Sequence, residues 1–323
     1  ETVAGVYAEG DLATAYRIGY CARLPSRCLL RLGEAEIVSP DDLYALARQV
    51  RWHEHFRGED RFAIHVGGKS AAFRDTRFAM LRVKDAIADA FRERTGARPY
   101  VDAETPDALV HIALKGGRAA LSLDLVGAAL HERGYRVSGH EAPIKENLAA
   151  ALLVRAGWPE LAREGAALVD PFCGAGTLLI EALRMAAGVP AQSLRQDFAW
   201  SRWLGHDEDV WQRLRQDIDQ QADAGLRALQ SRAFGSDIDR HAIGLAKRQL
   251  QHAGLAGFAQ LEARDARQVA RPAAFEQGLI VANLPYGERL GIERELAPLH
   301  REFGARLQRA FVGWRFALLA GSE

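Results

Sequence analysis

The chain has 323 residues, 48% hydrophobic and 26% charged, with 42 basic and 42 acidic side chains. That composition excludes a disordered chain and gives room for two domains, while zero net charge confines any nucleic-acid site to a local patch. Three cysteines, Cys21, Cys28 and Cys173, are too sparse for a disulfide framework and suit a reducing cytoplasm, and no apolar run reaches membrane-spanning length.

The chain opens on Glu1 and its last apolar run, Phe316–Ala320, ends just before Glu323, which reads as a fragment cut at both ends. Leu12 to Arg17 predicts a short helix and Arg27 to Leu32 an edge strand. Pro40-Asp41-Asp42 opens a helix reaching about Val50, its acids suited to the first turn. Phe62–Val66 is a strand. Thr76 to Arg94 is a long helix with Met80, Val83, Ile87, Ala90 and Phe91 on one face, ended by Gly96 and Pro99. Leu109–Leu114 and Ala119–Leu125 alternate around Gly116-Gly117, a hairpin signature.

The long helix and its surroundings are basic, with Arg77, Arg82 and Lys84 prominent, and Arg133 and Arg136 follow the hairpin. A charge run alone reads as a solvated face. The sharper reading is a surface that contacts RNA phosphates, to which Arg289 would add from the far end of the chain.

Gly139–Pro143 reads as a linker and Glu146–Trp158 as a helix with Leu148, Ala149, Leu152 and Leu153 inward. A β/α alternation follows. Its strands are Ala166–Val169, one ending at Ala233–Gly235, Phe258–Glu262, Leu279–Asn283 and Trp314–Ala320. Helices are expected over 176–187, 239–253 and 293–309, and residues 190–231 form a Trp-bearing helical insert. This alternation implies an α/β fold with a parallel, doubly wound sheet.

Three turns of that sheet carry chemistry. Asp170-Pro-Phe172-Cys173-Gly174-Ala-Gly176-Thr177 lies where a strand meets a helix. Its glycines let the backbone approach a ligand, and the helix amino end offers free N–H groups. The third glycine of a dinucleotide fingerprint is absent (Leu179 stands there), as is the Gly-Lys-Ser/Thr of a phosphate loop. What remains is the acid-x-x-x-Gly-x-Gly pattern of S-adenosylmethionine (SAM) binding. Asp237, followed by Ile238, ends the second strand, where a carboxylate can accept both ribose hydroxyls, while Asp239 caps the next helix. Asp265 follows the third strand, placed for an adenine amine, although alone it reads as a loop carboxylate.

The fourth strand delivers Asn283-Leu284-Pro285-Tyr286. An exocyclic aromatic amine is a weak nucleophile because its lone pair is delocalised into the ring. The Asn283 side-chain oxygen and the Leu284 carbonyl could accept both amine hydrogens and align the nitrogen for methyl transfer. Pro285 stiffens the turn and Tyr286 can stack on a base. Alone, such a tetrapeptide is an ordinary turn; after a SAM-type turn it is a candidate amine clamp. No metal site is expected, since His53-Glu54-His55 lacks helical ligand spacing and the cysteines are unpaired.

Ala142–Ala150, Asp170–Thr177, Gly235-Ser236-Asp237 and Asn283–Leu290 together resemble the THUMP-domain RNA guanine-N2 methyltransferases, in particular the bacterial branch acting on 23S rRNA. The resemblance implies a remnant of an N-terminal ferredoxin-like segment over 1–39 and an α+β THUMP RNA-binding domain over 40–136. It implies a Rossmann-like class I SAM-dependent methyltransferase domain over 137–323, without its C-terminal strands. Asp170, Phe172, Gly174 and Gly176 would line the methionine part of SAM, with Cys173 and Thr177 in the same turn, and Lys145 to Asn147 would close the site. Asp237 and Ile238 would hold the ribose, Asp265 the adenine, and Asn283 to Tyr286 the guanine amine. Leu284 stands where the family more often has proline. A second, fused guanine-N7 methyltransferase is implied for the full-length protein. A tRNA guanine-N2 methyltransferase and a non-catalytic RNA-binding or ribosome assembly factor are the competing readings.

Overall fold

The structure, a computed structural model, describes residues 5–96, 98–137, 144–230, 232–285 and 293–320. The chain divides into two compact units. One takes residues 1–19, 27–129 and 196–213; the other takes 20–26, 130–195 and 214–323.

The first unit is built on a five-stranded sheet: β1 (Leu29–Glu36), β2 (Arg61–Gly68), β3 (Tyr100–Val101), β4 (Ala108–Lys115) and β5 (Arg118–Asp124), in the order β1-β5-β4-β2-β3. β5 runs antiparallel to β1 and β4, whereas β2 is parallel to β4 and β3. β1 is an edge strand, as its sequence implied, and it pairs along its length with β5. The β4–β5 turn is Gly116-Gly117 with φ of 54° and 76°, the left-handed pair that a tight hairpin demands.

Helices α1 (Leu12–Cys21), α2 (Pro40–Gln49) and α3 (Thr76–Thr95) belong wholly or largely to this unit. α2 starts with a capping box, Ser39 accepting from the Asp42 amide and Asp42 accepting from the Ser39 amide. α3 ends on Gly96 at φ 71°, its N–H donating to the Arg92 carbonyl. Val83, Ile87 and Phe91 of α3 are buried with Leu43 and Leu46 of α2 against Val110, Ile112 and Leu121; Met80 and Ala90 are only partly buried.

Residues 196–213 return to this unit, which the sequence did not foretell. Trp200 stacks on Phe198 with ring centroids 4.2 Å apart, and Tyr16 and Trp211 close on it at 5.1 and 4.9 Å. The Trp200 amide donates to Leu125 and the Trp203 indole N–H to His55 Nδ1.

The second unit carries a fully parallel sheet: β6 (Ala167–Asp170), β7 (Ala233–Asp237), β8 (Ala259–Ala263), β9 (Gly278–Asn283) and β10 (Arg315–Leu319), in the order β10-β9-β6-β7-β8. The five expected strands are therefore all present. Its helices are α4 (Glu146–Arg155), α5 (Trp158–Arg163), α6 (Thr177–Ala186), α7 (Glu208–Ala228), α8 (Arg240–His252) and α9 (Glu293–Ala310). The first two were expected as one. Gly157, at φ 77°, breaks the helix, and Trp158 starts the next one with its indole N–H on the Ala182 carbonyl. Leu148 points outward and is 46% exposed, while Ala149 and Leu153 are buried.

One sheet face packs Leu168, Leu279 and Val281 under Leu153, Leu179, Leu183 and Leu250. The other packs Val169, Ile280 and Ala282 against Phe303, Leu307, Phe311 and Trp314. β6 and the first five residues of β9 are buried, so these two strands form the centre. Successive crossovers leave the β6–β9 junction as the point where strand order reverses, and the carboxyl edge there is where ligands settle in such sheets.

Candidate active site

Asp170 ends β6 and is 1% exposed. Its Oδ1 accepts the Phe172 amide at 3.1 Å. Burial, with a smaller push from the Asp237 charge, raises its carboxyl to about 8. Folding therefore takes up a proton at Asp170 between the ordinary carboxylate range and pH 8, and its contribution to stability falls as pH rises through that window. The thermal midpoint is expected to decline more steeply from pH 5 to 8 in the wild type than in Asp170→Asn, measured by scanning calorimetry; parallel profiles would refute this.

The glycine turn after Asp170 is tied to the second strand. Gly174, at φ 49°, donates its N–H to Asp237 Oδ2 at 2.9 Å, and the Cys173 amide donates to the Ser236 carbonyl at 3.0 Å. Gly176, at φ 84°, begins α6 with no side-chain cap, so the helix amino end keeps its N–H groups. Gly235 in β7 has no room for a side chain: a Cβ would stand 2.5 Å from Leu179 and 2.7 Å from Leu261. Cys173 and Thr177 are buried, and burial pushes the Cys173 thiol well above its usual range, which removes it as a nucleophile.

Asp237 Oδ1 accepts the Asp239 amide at 3.0 Å, while Asp239 caps α8 through the His241 amide, the cap that the sequence suggested. Each Asp237 oxygen thus holds one backbone N–H and has a lone pair left for a hydroxyl. Ile238 beside it is 74% exposed. Asp265 is already engaged: it caps a short 3₁₀ turn, and Arg267, paired with it at 2.6 Å, holds its carboxyl below the usual range.

Asn283 ends β9 opposite Leu319 of β10, and the Leu284 amide donates to the Leu319 carbonyl at 2.9 Å. The Leu284 side chain is buried with Ile280 and Phe303, so the residue is anchored at both its amide and its side chain. Asn283 Oδ1 is buried and has no hydrogen-bond partner among the described residues. Such an acceptor costs free energy unless a donor comes to it. Tyr286 and Arg289 lie outside the described residues. Lys145 is exposed at the start of α4, and Asn147 donates to Ser26 Oγ at 3.3 Å. A cavity of about 330 Å³ lies beside β7 and β8, walled by Phe234, Ser236, Gln260, Glu262 and Arg271; it does not include Asp170, Asp237 or Asn283.

The basic residues expected to contact RNA sit in three kinds of surroundings. Arg133 is wholly buried, its guanidinium set between Glu181 and the carbonyls of Arg23 and Leu130, so it holds the fold and cannot reach a phosphate. Arg136 is half-buried on Glu146 and the Ile144 carbonyl. Arg77, Arg82 and Lys84 are each paired with a carboxylate, of Asp75, Asp41 and Asp85.

A parallel sheet with this strand order, a glycine turn after its first strand, a carboxylate after its second and Asn-x-Pro after its fourth defines a methyltransferase of the Rossmann-like class. Residues 133–323 match the family described as RMKL-like methyltransferase domain, and residues 38–124 match the THUMP domain. The chain belongs to this methyltransferase family. It is 46% identical over 99% of its length to a protein of Chromohalobacter salexigens, and 44% identical over 100% to one of Methylococcus capsulatus, both named ribosomal RNA large subunit methyltransferase K/L. The chain spans 44% and 43% of those two relatives. Among solved structures, SMU.472, crystallised with SAH, matches with a TM-score of 0.83 and 25% identity, covering 96% of this chain and 80% of that one. A Listeria monocytogenes structure, described as a predicted N6-adenine-specific DNA methylase, has a TM-score of 0.82 and 26% identity over 95% of this chain and 78% of that one.

Proposed function

We propose that this chain binds SAM and methylates the exocyclic N2 amine of a guanosine in 23S rRNA. The observation that carries the reading is the buried Asn283 oxygen, unpartnered among the described residues, at the carboxyl edge of β9 next to the strand that bears Asp170. The relatives named as large-subunit rRNA methyltransferases and the THUMP match favour RNA over the DNA adenine named for the Listeria structure.

The residues present fit the cofactor. Asp237 keeps lone pairs for ribose hydroxyls, Gly174 and Gly176 leave the methionine path clear, and the open amino end of α6 suits a carboxylate. When bound, the cofactor supplies an electrophilic methyl group. Asn283 Oδ1 and the Leu284 carbonyl accept the two hydrogens of the guanine amine, which orients its nitrogen lone pair toward that methyl. Pro285 and Tyr286 hold the base, which must be unpaired or flipped out to enter. No strong base is needed, since the proton can leave after transfer.

The RNA is captured through the THUMP domain, in the cytoplasm. Among the described residues no helix is long and apolar enough to cross a membrane. In the longer protein a second, fused methyltransferase would act beside this one. The test is transfer of label from SAM to total RNA and protein of a strain lacking the gene, followed by nucleoside analysis. Labelled N2-methylguanosine in 23S rRNA is expected; label confined to protein, tRNA or DNA would overturn the assignment.

A further inference from the structure

The exposed face of α8 carries charge that the described residues leave unneutralised. Ala242, Ile243, Leu245, Ala246, Gln249 and Leu250 face inward, and Arg240, His241, Lys247, Arg248, Gln251 and His252 are exposed. At 3.6 residues per turn the exposed set falls on one side, and Arg240 to Arg248 spans about 12 Å of helix. α8 contains no acidic residue. None of Arg240, Lys247 and Arg248 pairs with a carboxylate among the described residues, in contrast to Arg77, Arg82 and Lys84 of α3.

Helix stability does not account for this pattern. Arg240 and His241 occupy the first turn, where the aligned peptide dipoles disfavour cations. Arg248 and His252 stand four apart, a spacing at which like charges repel when the histidine is protonated. A helix in the same chain shows the opposite choice: α2 puts Asp41 and Asp42 in its first turn and Arg48 in its last. Three unpaired cations on one helical face are a fit for evenly spaced anions, and RNA phosphates are such a partner.

We propose that the outer face of α8, through Arg240, Lys247 and Arg248, is a phosphate-docking surface for the RNA substrate. It lies on the same unit as the cofactor residues and begins directly after the Asp237–Asp239 turn. It therefore supplies backbone contacts next to the reacting centre, independent of those made by the THUMP domain. The inference rests on the RNA methyltransferase reading above.

The test is the triple variant Arg240→Gln/Lys247→Gln/Arg248→Gln, with Arg240→Lys/Arg248→Lys as a charge-retaining control. Binding of protein-free 23S rRNA is measured across about 50 to 200 mM salt, the range in which each lost phosphate contact removes about 0.7–0.9 from the log–log salt slope. The triple variant is expected to bind at least tenfold more weakly at the low-salt end, with a slope shallower by about 2. The lysine variant should behave as wild type, and SAM affinity and thermal midpoint should be unchanged in both. An unaltered slope in the triple variant overturns the proposal. So does an unaltered slope together with a changed sedimentation mass, which would make the face a protein interface. Wild-type protein that labels no rRNA would sink the functional reading itself; labelling by wild type and triple variant alike, at equal RNA affinity, sinks only the α8 surface.

Discussion

Asn283→Ala is expected to lose methyl transfer while keeping the cofactor. Asn283 ends a buried strand whose neighbours fix its main chain, so truncating the side chain leaves the Leu284 amide on the Leu319 carbonyl and the β9–β10 register intact. What disappears is one buried acceptor with no other partner among the described residues. Removing one preorganised polar group from a transition state typically costs about 10²–10³-fold in kcat, and under the proposed mechanism this one also orients the nucleophile, so the loss should lie at the upper end. SAM affinity, read by titration calorimetry, should stay within about threefold, because the proposed partner of this group is the amine rather than the cofactor. Because the unpaired oxygen is a cost in the free protein, the variant should be as stable as wild type or slightly more so. Turnover within a few-fold of wild type would refute the amine clamp. Loss of SAM binding in parallel would mean that Asn283 instead supports the fold of the pocket.

Asp237→Ala should act on the cofactor and on the turn together. One carboxylate oxygen holds the Gly174 amide at 2.9 Å and the other the Asp239 amide at 3.0 Å, which join the glycine turn after β6 to the end of β7. Alanine orphans both N–H groups, at about 1–3 kcal/mol each where they remain out of water. It also removes the proposed acceptor of two ribose hydroxyls, for which hydrogen bonds to a charged group imply roughly 10²-fold weaker SAM binding. Asp237→Asn keeps one acceptor oxygen and should fall between. Calorimetric titration and thermal melting separate the two effects. Cofactor affinity in Asp237→Ala equal to wild type would reject the ribose assignment, whatever happens to stability.

Much of the fold was legible because its signals are local. The buried strands around Asp170 and Asn283 are apolar runs, the cap at Asp239 is a short polar side chain before a helical pattern, and Gly96 and Gly116-Gly117 mark backbone at positive φ. The glycine turn was legible for the same reason, since Asp170, Gly174 and Gly176 lie within one strand–helix junction. The basic residues were not. Whether an arginine meets water or a carboxylate depends on partners far along the chain: Arg82 is neutralised by Asp41, and Arg133 is buried beside Glu181. Counting charge on a helix cannot show that. The link between Asp265 and Arg267 was closer to hand, because an acid two residues before an arginine at a helix start commonly caps and pairs. The split of α4 from α5 followed from Gly157, which the apolar spacing of Leu148 and Leu152 concealed.

The return of residues 196–213 to the first unit bears on how the protein is made. Tyr16 near one end of the chain waits for Trp200 and Trp211. By the time those residues leave the ribosome, β6 and α6 of the second unit have already been synthesised. The first unit is therefore not complete when its own sheet has been translated, although its five strands all precede residue 125. Completion of the first unit therefore waits until part of the second has been synthesised. A cut made at residue 136 to isolate the RNA-binding part would leave Tyr16 without its two tryptophans, so the halves of this enzyme are not interchangeable cassettes.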